Sequence, residues 1–429
     1  MKYHLWTIGC QMNQADSWRV ADELDALGWQ SAPRAEDADL VVLNTCVVRQ
    51  SAEDKVYGRL NSLKNLKALS PQASLVVMGC LVGDDAKALG RRFPFVDLFL
   101  RPSDVEGLLS FVESKLSAPA AEPPSAAREI PVCCYVPVTE GCDHHCTYCI
   151  VRLRRGRERS RPIDEIVEDV RRLVDRGARE VTLLGQNVDS YGHDLPGSPD
   201  LAELLRAVHD LDGLWRIRFL TSHPADMTQR IIDAVAELDK VCEHLELPIQ
   251  AGHDLTLTRM ARGYTVQQYR ELLGALRNRV PGVSVATDVI VGFPGETDEH
   301  FQATYDLLAQ ERFDVVHVAC YSPRPGTPAA RLDDDVPDAE KERRRRQVEE
   351  LQEAIAGEVN RRVLGSTTEV LVEERHGGKW RGRTRTNRLV FFPSELDWRG
   401  HLAPVKIIWS GPWSMQGEVT APHPDPPPG

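Results

Sequence analysis

From the N-terminus to about residue 115, short apolar runs alternate with amphipathic stretches. The runs are YHLWTIGC, DLVVLNTC, SLVVMGC and the weaker VDLFL; between them lie patterns such as DSWRVADELDALG and AEDKVYGRLNSLKNLKAL. Short apolar runs alternating with helical periodicity predict a parallel sheet covered by helices. The following segment, SAPAAEPPSAARE (117–129), has almost no bulky apolar side chain and reads as a linker.

From residue 131 to 330 the alternation resumes with a longer repeat. Expected strands are CCYVPVTEG, EVTLLG, RIRFLTS, HLELPI, SVATDVIVG and VVHVACYS, and helical patterns such as IDEIVEDVRRLVDRG and DEHFQATYDLLAQE separate them. Six such units predict an open or partial (β/α) barrel, with chemistry at the carboxyl ends of its strands. Residues 336–362 read as one highly charged helix in which Arg343–Arg346 lie among Glu340, Glu342, Glu349 and Glu350, a solvated face of i,i+4 pairs. Four apolar-alternating segments then follow (TEVLVEE, WRGRTRTNRLVFF, APVKIIWSG, MQGEVTA), the pattern of a small β-barrel. The expected organisation is α/β and multidomain. It comprises an N-terminal parallel α/β sheet domain (1–116), a linker (117–130), a partial barrel (131–360), a small β-barrel (361–422) and a disordered tail (423–429).

Composition places these elements in a soluble setting. Of 429 residues, 42% are hydrophobic and 27% charged, as in globular proteins. No apolar run approaches the ~18 residues of a membrane span, and MKYHLWTIGC lacks the features of a secretory leader. A cytoplasmic protein with no membrane partner is expected. The net charge of −12 argues against a polyanionic partner until its distribution is read: residues 361–420 carry ten Lys/Arg and six Asp/Glu, a local +4.

Ten cysteines in such a chain are read as thiols available for metal binding or catalysis. Cys142, Cys146 and Cys149 form a C-x-x-x-C-x-x-C loop just after a strand pattern. Three thiolates can hold three corners of an iron–sulfur cubane and leave its fourth iron open. Zinc, with His144 or His145 as fourth ligand, is the alternative. Cys10, Cys46 and Cys80 each end an expected strand; in a parallel sheet these ends converge along one edge, and Gly9 and Gly79 permit tight turning there. A second cluster site of the same kind is expected from this trio. Cys133, Cys134, Cys242 and Cys320 are expected to be small buried hydrophobes.

The residues GCQMNQADS (9–17), LNTCVVRQSAEDKV (43–56), EGCDHHCTYC (140–149), LLGQNVDSYG (183–192), TSHP (221–224), VGFPGET (291–297) and YSPRPGTPAA (321–330) together resemble the methylthiotransferases of the radical S-adenosylmethionine (SAM) superfamily. Within them the match is to the MiaB-type tRNA enzymes, with a TRAM-like barrel at the C-terminus. The resemblance implies an auxiliary 4Fe–4S cluster on Cys10, Cys46 and Cys80, and a SAM-cleaving 4Fe–4S cluster on Cys142, Cys146 and Cys149. It implies that one SAM methylates sulfur on the auxiliary cluster and another yields a 5′-deoxyadenosyl radical. The product is a methylthio group on carbon 2 of N6-isopentenyladenosine next to the tRNA anticodon. A tRNA substrate, a low-potential electron donor such as flavodoxin or ferredoxin, and a monomeric state go with it. Departures from the family pattern are Arg152 and Leu153 where Pro-Tyr is usual, and Ala251 and His253 in PIQAGH where Ser is usual.

Further expectations are less specific. Gly185, Gln186 and Asn187, at the end of a barrel strand, and Gly292 in VGFPGE are candidates for SAM contacts, or plain strand-to-helix turns. His223 is expected to support structure rather than titrate. RLRRGRERSRP (152–162) is either a phosphate contact or a solvated loop, and Arg381, Arg383, Arg385 and Arg388 are candidate RNA contacts on barrel strands. The same chemistry on threonylcarbamoyl-adenosine or on a ribosomal-protein aspartate is one alternative function. A non-catalytic, zinc-stabilised RNA-binding protein is the alternative of another class.

Overall fold

The computed structural model describes residues 1–47, 50–83, 86–115 and 128–421. Most of the expected linker and the whole expected tail lie outside them. The chain divides into two compact units, neither of them one continuous stretch. The first is Met1–Glu129 with Glu140–His144 and Cys149–Arg159; the second is Ile130–Thr139, His145–Tyr148 and Ser160–Gly429.

In the first unit, strands β1 (Lys2–Thr7), β2 (Gln30–Ser31), β3 (Leu40–Thr45), β4 (Ser74–Gly79) and β5 (Leu98–Leu100) form one sheet in the order β2-β1-β3-β4-β5. Every pairing is parallel. Every residue of β3 and β4 is buried, as a strand covered on both faces requires. Side chains alternate between those faces. Leu40, Val42, Val76 and Met78 pack with Val20 and Leu24 of α1 (Gln11–Ala26). Val41, Leu43, Leu75 and Val77 pack with Val56, Leu60 and Leu63 of α2 (Gln50–Leu69). Helices α3 (Ala86–Arg92), α4 (Val105–Lys115) and α5 (Val151–Arg155) complete this unit.

In the second unit, all six expected strands form: β6 (Cys133–Pro137), β7 (Glu180–Leu184), β8 (Arg216–Phe219), β9 (His244–Glu246), β10 (Ser284–Val291) and β11 (Val315–Cys320). They make two parallel sheets in the orders β8-β7-β6 and β9-β10-β11. A parallel bridge between Ile217 and Val241 joins the two, with the Cys242 N–H donating to the Ile217 carbonyl at 2.9 Å. The result is an open arc. Val181, Leu183, Ile217, Phe219 and Leu245 face outward into one core with Ile166, Val170, Leu204, Val208 and Ile231 of the covering helices.

Residues 367–419 close into a five-stranded barrel around Val370, Trp380, Phe392, Trp398, Val405 and Ile407. Here the sequence reading needs correction. WRGRTRTNRLVFF is not one strand but two, Lys379–Arg383 and Leu389–Phe392. Asn387 adopts a positive φ of 62° and its N–H bonds the Thr384 carbonyl, closing a turn that Asn tolerates better than other non-glycine residues. The helix Asp338–Arg361 is not a wholly solvated face either. Lys341 and Arg344 are buried, because Arg344 reaches Glu296 at 2.8 Å and Asp298 at 2.8 Å, and Lys341 reaches Asp334 at 2.7 Å. Of the four cysteines expected to be buried, Cys134 and Cys242 are; Cys133 and Cys320 remain partly exposed.

Candidate metal centres

The parallel registry of β1, β3 and β4 sets the ends of three adjacent strands side by side: Thr7 lies opposite Asn44, and Thr45 opposite Gly79. Cys46 and Cys80 immediately follow β3 and β4, and Cys10 is the N-cap of α1. Cys46 and Cys80 are buried and Cys10 is exposed. Two glycines make this edge possible. Gly9 has φ +142°, and a Cβ on it would stand 2.6 Å from the Cys46 Cβ; Gly79 has φ +100°, and its Cβ would stand 2.4 Å from the Thr45 carbonyl oxygen. Burial pushes the Cys80 thiol up to about 11, against the pull of the Arg155 guanidinium, while Cys46 and Cys10 act on it as further negative neighbours. The three thiols therefore share one electrostatic neighbourhood.

Polar side chains that sequence reasoning missed hold this edge in place. Asn13 and Asn44 are fully buried. Asn13 Nδ2 donates to Asn44 Oδ1 at 2.8 Å and to the Thr45 carbonyl at 3.1 Å, and the Cys10 thiol lies 3.3 Å from Asn13 Oδ1. Thr45 Oγ1 donates to the Met78 carbonyl at 2.7 Å. Arg155, expected only as part of an arginine-rich loop, is buried among Asp16, Ser103 and Glu140. An Asn inside the apolar run LVVLNTC and another at the third position after Cys10 were the available signals.

The C-x-x-x-C-x-x-C loop is shared between the two units. In the first, Gly141 has φ +81° and a Cβ on it would meet the Arg157 carbonyl oxygen at 2.0 Å; the Cys142 N–H donates to the Gly156 carbonyl at 3.3 Å. Arg152, one of the departures from the family pattern, donates from Nη1 to the Asp143 carbonyl at 2.8 Å and so braces the loop from within. In the second unit, the Thr147 N–H and Oγ1 bond the carbonyls of Met260 and Arg259 at 3.0 and 2.8 Å. Buried Arg262 donates to Cys146 Sγ at 3.4 Å, to Tyr264 at 2.9 Å and to the Pro248 carbonyl at 3.2 Å. No side chain of the sequence reading pointed to Arg262.

All ten cysteines are free thiols. Soft thiol donors with N–H donors turned toward them suit an iron–sulfur cluster, whose sulfurs accept hydrogen bonds and whose charge is negative overall. The buried Nη2 of Arg155, ion-paired with Asp16 at 3.5 Å, makes no hydrogen bond and so remains a donor for a further acceptor on this edge. The donor set therefore fits the clusters the sequence implied.

At the end of β7, Gly185 packs so closely that a Cβ would stand 2.1 Å from Thr139 Oγ1, and its carbonyl accepts from Thr221 Oγ1 at 2.8 Å. Gln186 is half-buried. Asn187 is buried; its Nδ2 donates to Asp226 at 2.6 Å while its Oδ1 has no partner. Gly292 follows β10 with φ +71°, and its N–H is held by Glu296 at 2.5 Å. His223 is buried and accepts at Nδ1 from the Ala225 N–H at 3.2 Å. Beside it Asp189, enclosed by Ser222 and the His223 N–H, is pushed up to about 7 by burial. His253, a second departure, stacks on His300 with centroids 3.9 Å apart.

The four arginines expected on barrel strands are all in ion pairs. Arg381 meets Glu374 at 2.7 Å and Arg383 meets Glu373 at 3.4 Å, both within the barrel. Arg385 and Arg388 lie in the turn, not on a strand, and reach Glu243 at 2.7 Å and Asp314 at 3.0 Å beside the starts of β9 and β11. From the arc, Arg218 donates to the Arg385 and Thr384 carbonyls at 2.7 and 2.8 Å, and Arg216 to the Arg383 carbonyl at 2.7 Å. The barrel is thus seated at the amino ends of the arc's strands, opposite the edge where Gly185 and Gly292 lie.

Three family models match the chain: an uncharacterised family, UPF0004, over residues 2–101; the radical SAM superfamily over 136–308; and the TRAM domain over 361–420. A radical SAM domain implies SAM and a 4Fe–4S cluster. Among solved structures, the radical S-adenosylmethionine methyltransferase TsrM from Kitasatospora setae matches with a TM-score of 0.57 at 15% identity, over 76% of each chain, which shows the fold alone. In sequence, the chain is 53% identical to the tRNA-2-methylthio-N(6)-dimethylallyladenosine synthase of Roseiflexus sp. (strain RS-1), covering 97% of this chain and 89% of that one. It is 50% identical to the protein of the same name from Dehalococcoides mccartyi (strain ATCC BAA-2266 / KCTC 15142 / 195), covering 97% and 98%. Among the described residues no helix is long and apolar enough to cross a membrane. The chain belongs to the tRNA-2-methylthio-N(6)-dimethylallyladenosine synthase family.

Proposed function

We propose that this protein is a radical-SAM methylthiotransferase that adds a methylthio group to carbon 2 of N6-isopentenyladenosine next to the tRNA anticodon. The observation that carries this reading is the convergence of Cys10, Cys46 and Cys80 on one sheet edge, in addition to the C-x-x-x-C-x-x-C loop. A SAM-cleaving loop alone serves many reactions; a second trio of thiols gives sulfur chemistry a place of its own. In this reading Cys142, Cys146 and Cys149 hold the SAM-binding 4Fe–4S cluster, and Cys10, Cys46 and Cys80 hold an auxiliary one. Bound there, the clusters and SAM supply the one-electron and methyl-transfer chemistry.

The remaining roles belong to the chain itself. Asn13 and Asn44 fix the sheet edge on which the first trio sits, and Arg262 orients Cys146. Gly185, Gln186, Asn187 and Gly292 line the carboxyl ends of the arc's strands, where SAM would lie; the unpartnered Asn187 Oδ1 suits its amino group. Arg381 and Arg383 of the barrel would contact RNA phosphates by exchanging their carboxylate partners, whereas Arg385 and Arg388 chiefly seat the barrel. In sequence, the thiols of the first trio, the arc and the barrel fall in 1–116, 131–360 and 361–422, while Glu140–His144 and Cys149–Arg159 join the first compact unit. A low-potential flavodoxin or ferredoxin as donor, a monomeric state and a cytoplasmic location complete the proposal.

The test is mass spectrometry of tRNA nucleosides after reconstituted protein, SAM and reductant are incubated with isopentenylated tRNA. The methylthiolated nucleoside is expected. Its absence from a preparation that loads both clusters and cleaves SAM would refute the assignment of substrate.

A further inference from the structure

Arg155 closes α5, shortly after Cys149 in sequence, yet it belongs to the compact unit that contains Cys10, Cys46 and Cys80. Its side chain is only 3% exposed, and the Asp16 carboxylate facing it only 1%. One end of the guanidinium is engaged: Nη1 donates to Ser103 Oγ at 3.2 Å and to Glu140 Oε1 at 3.3 Å. The other end is ion-paired but makes no hydrogen bond. Nη2 stands 3.5 Å from Asp16 Oδ2, and both atoms are buried without a hydrogen-bond partner. Asp16 is otherwise held by Ser103, which donates to its Oδ1 at 2.8 Å. Cys80 and Cys10 lie near enough to act on the charge of Arg155 directly.

Asp16 and Glu140 pair with this buried cation, but an unused N–H donor beside a set of thiols still carries a desolvation cost until an acceptor completes it. Three thiolates on a cubane core leave a net negative charge, and any sulfur ligand on the fourth iron adds to it. N–H donors and positive charge around cluster sulfurs favour the more negative, reduced state and so raise the reduction potential.

We propose that Arg155 is a positioning residue of the auxiliary centre: its buried Nη2 donates to ligand sulfur at Cys80, and its charge compensates the cluster and the extra anionic sulfur on its open iron. This rests on the ligand assignment of Cys10, Cys46 and Cys80 made above. The sequence segment that follows one cluster loop thus supplies the counter-charge for the other cluster. Arg262, which donates to Cys146, does the corresponding work at the SAM-binding loop.

The experiment uses the full chain with Cys142, Cys146 and Cys149 replaced by alanine, reconstituted anaerobically with iron and sulfide. Iron per chain, the electron paramagnetic resonance spectrum of the reduced cluster and its midpoint potential are then compared with Arg155, Arg155→Lys and Arg155→Gln. Arg155→Gln should shift the midpoint to lower potential and alter the spectrum, and Arg155→Lys should restore most of the midpoint. A glutamine variant with the midpoint and spectrum of its parent overturns the proposal. A measurement on the unsubstituted site decides independently of variant folding. With nitrogen-15 arginine incorporated, the reduced cluster should show a hyperfine coupling to the label, and the absence of coupling overturns the role of Arg155. A parent chain that binds no cluster at all overturns the ligand assignment itself, an outcome distinct from a loaded cluster indifferent to Arg155.

Discussion

Asn13 and Asn44 clasp each other beneath the first cysteine trio: Asn13 Nδ2 donates to Asn44 Oδ1, and Asn44 Nδ2 returns a bond to the Asn13 backbone carbonyl, each at 2.8 Å. The clasp ties the first turn of α1, which Cys10 caps, to the end of β3, which Cys46 follows. Asn44→Ala leaves the buried Asn13 amide with the Thr45 carbonyl as its remaining acceptor and removes the donor to the Asn13 carbonyl, and costs about 1–3 kcal/mol. Urea unfolding should show that loss, and iron loading at the first trio should fall with it. Full iron loading at reduced stability would separate the clasp from ligand placement.

The two trios should fail differently. Cys146→Ala is expected to abolish reductive SAM cleavage. Cys46→Ala should leave SAM cleavage partly intact and stop sulfur insertion. Chromatography of SAM products alongside nucleoside mass spectrometry reads both, and full methylthiolated product from Cys46→Ala would remove the auxiliary assignment.

Arg218 is buried where the arc meets the small barrel, paired with buried Glu180 at 2.9 Å and capping two barrel carbonyls. Breaking a buried pair strands the partner charge, so Arg218→Ala should cost about 3–5 kcal/mol. Arg388→Ala, which removes a partly exposed pair with Asp314, should cost about 1 kcal/mol or less. Calorimetry of the two variants checks the order.

Stability should fall as pH rises through neutrality, because of Asp189. Burial holds its carboxyl up to about 7 in the folded chain, against an unfolded value of about 3.9. Its contribution is therefore fully present below the unfolded value and is lost as pH rises toward and through 7. The change is on the order of 4 kcal/mol. Asp189→Asn should flatten the difference between urea midpoints at pH ~5 and pH ~8; an unchanged difference would place the titration elsewhere.

For RNA binding, the double substitution of Arg381 and Arg383 by alanine should weaken tRNA affinity and reduce the salt slope by roughly two. Filter binding across a salt series measures both. An unchanged slope would show that the barrel's arginines serve only their carboxylate partners.

Much of the architecture was legible because it rests on local periodicity. The apolar runs of β3 and β4, and the six strands of the arc, announce themselves by pattern alone. Cys10, Cys46 and Cys80 could be placed on one edge because parallel strands share a direction. What pattern could not reach was pairing at long sequence distance. Nothing local says that Arg155 lies against Asp16, that Arg262 reaches Cys146, or that Arg385 is spent on Glu243. The turn Thr384–Arg388 was missed for a smaller reason: alternating polar residues mimic a strand until Asn387 reverses the chain.

The division of the cysteine-loop residues between the two compact units bears on how this protein can be taken apart. A fragment ending at residue 116 would carry Cys10, Cys46 and Cys80 but neither Arg155 nor Glu140, which join that unit from the middle of the chain. Such a fragment should bind its cluster poorly even where it folds. The module that inserts sulfur is therefore not portable as a continuous stretch: cutting the chain at its apparent linker removes the counter-charge and keeps the thiols.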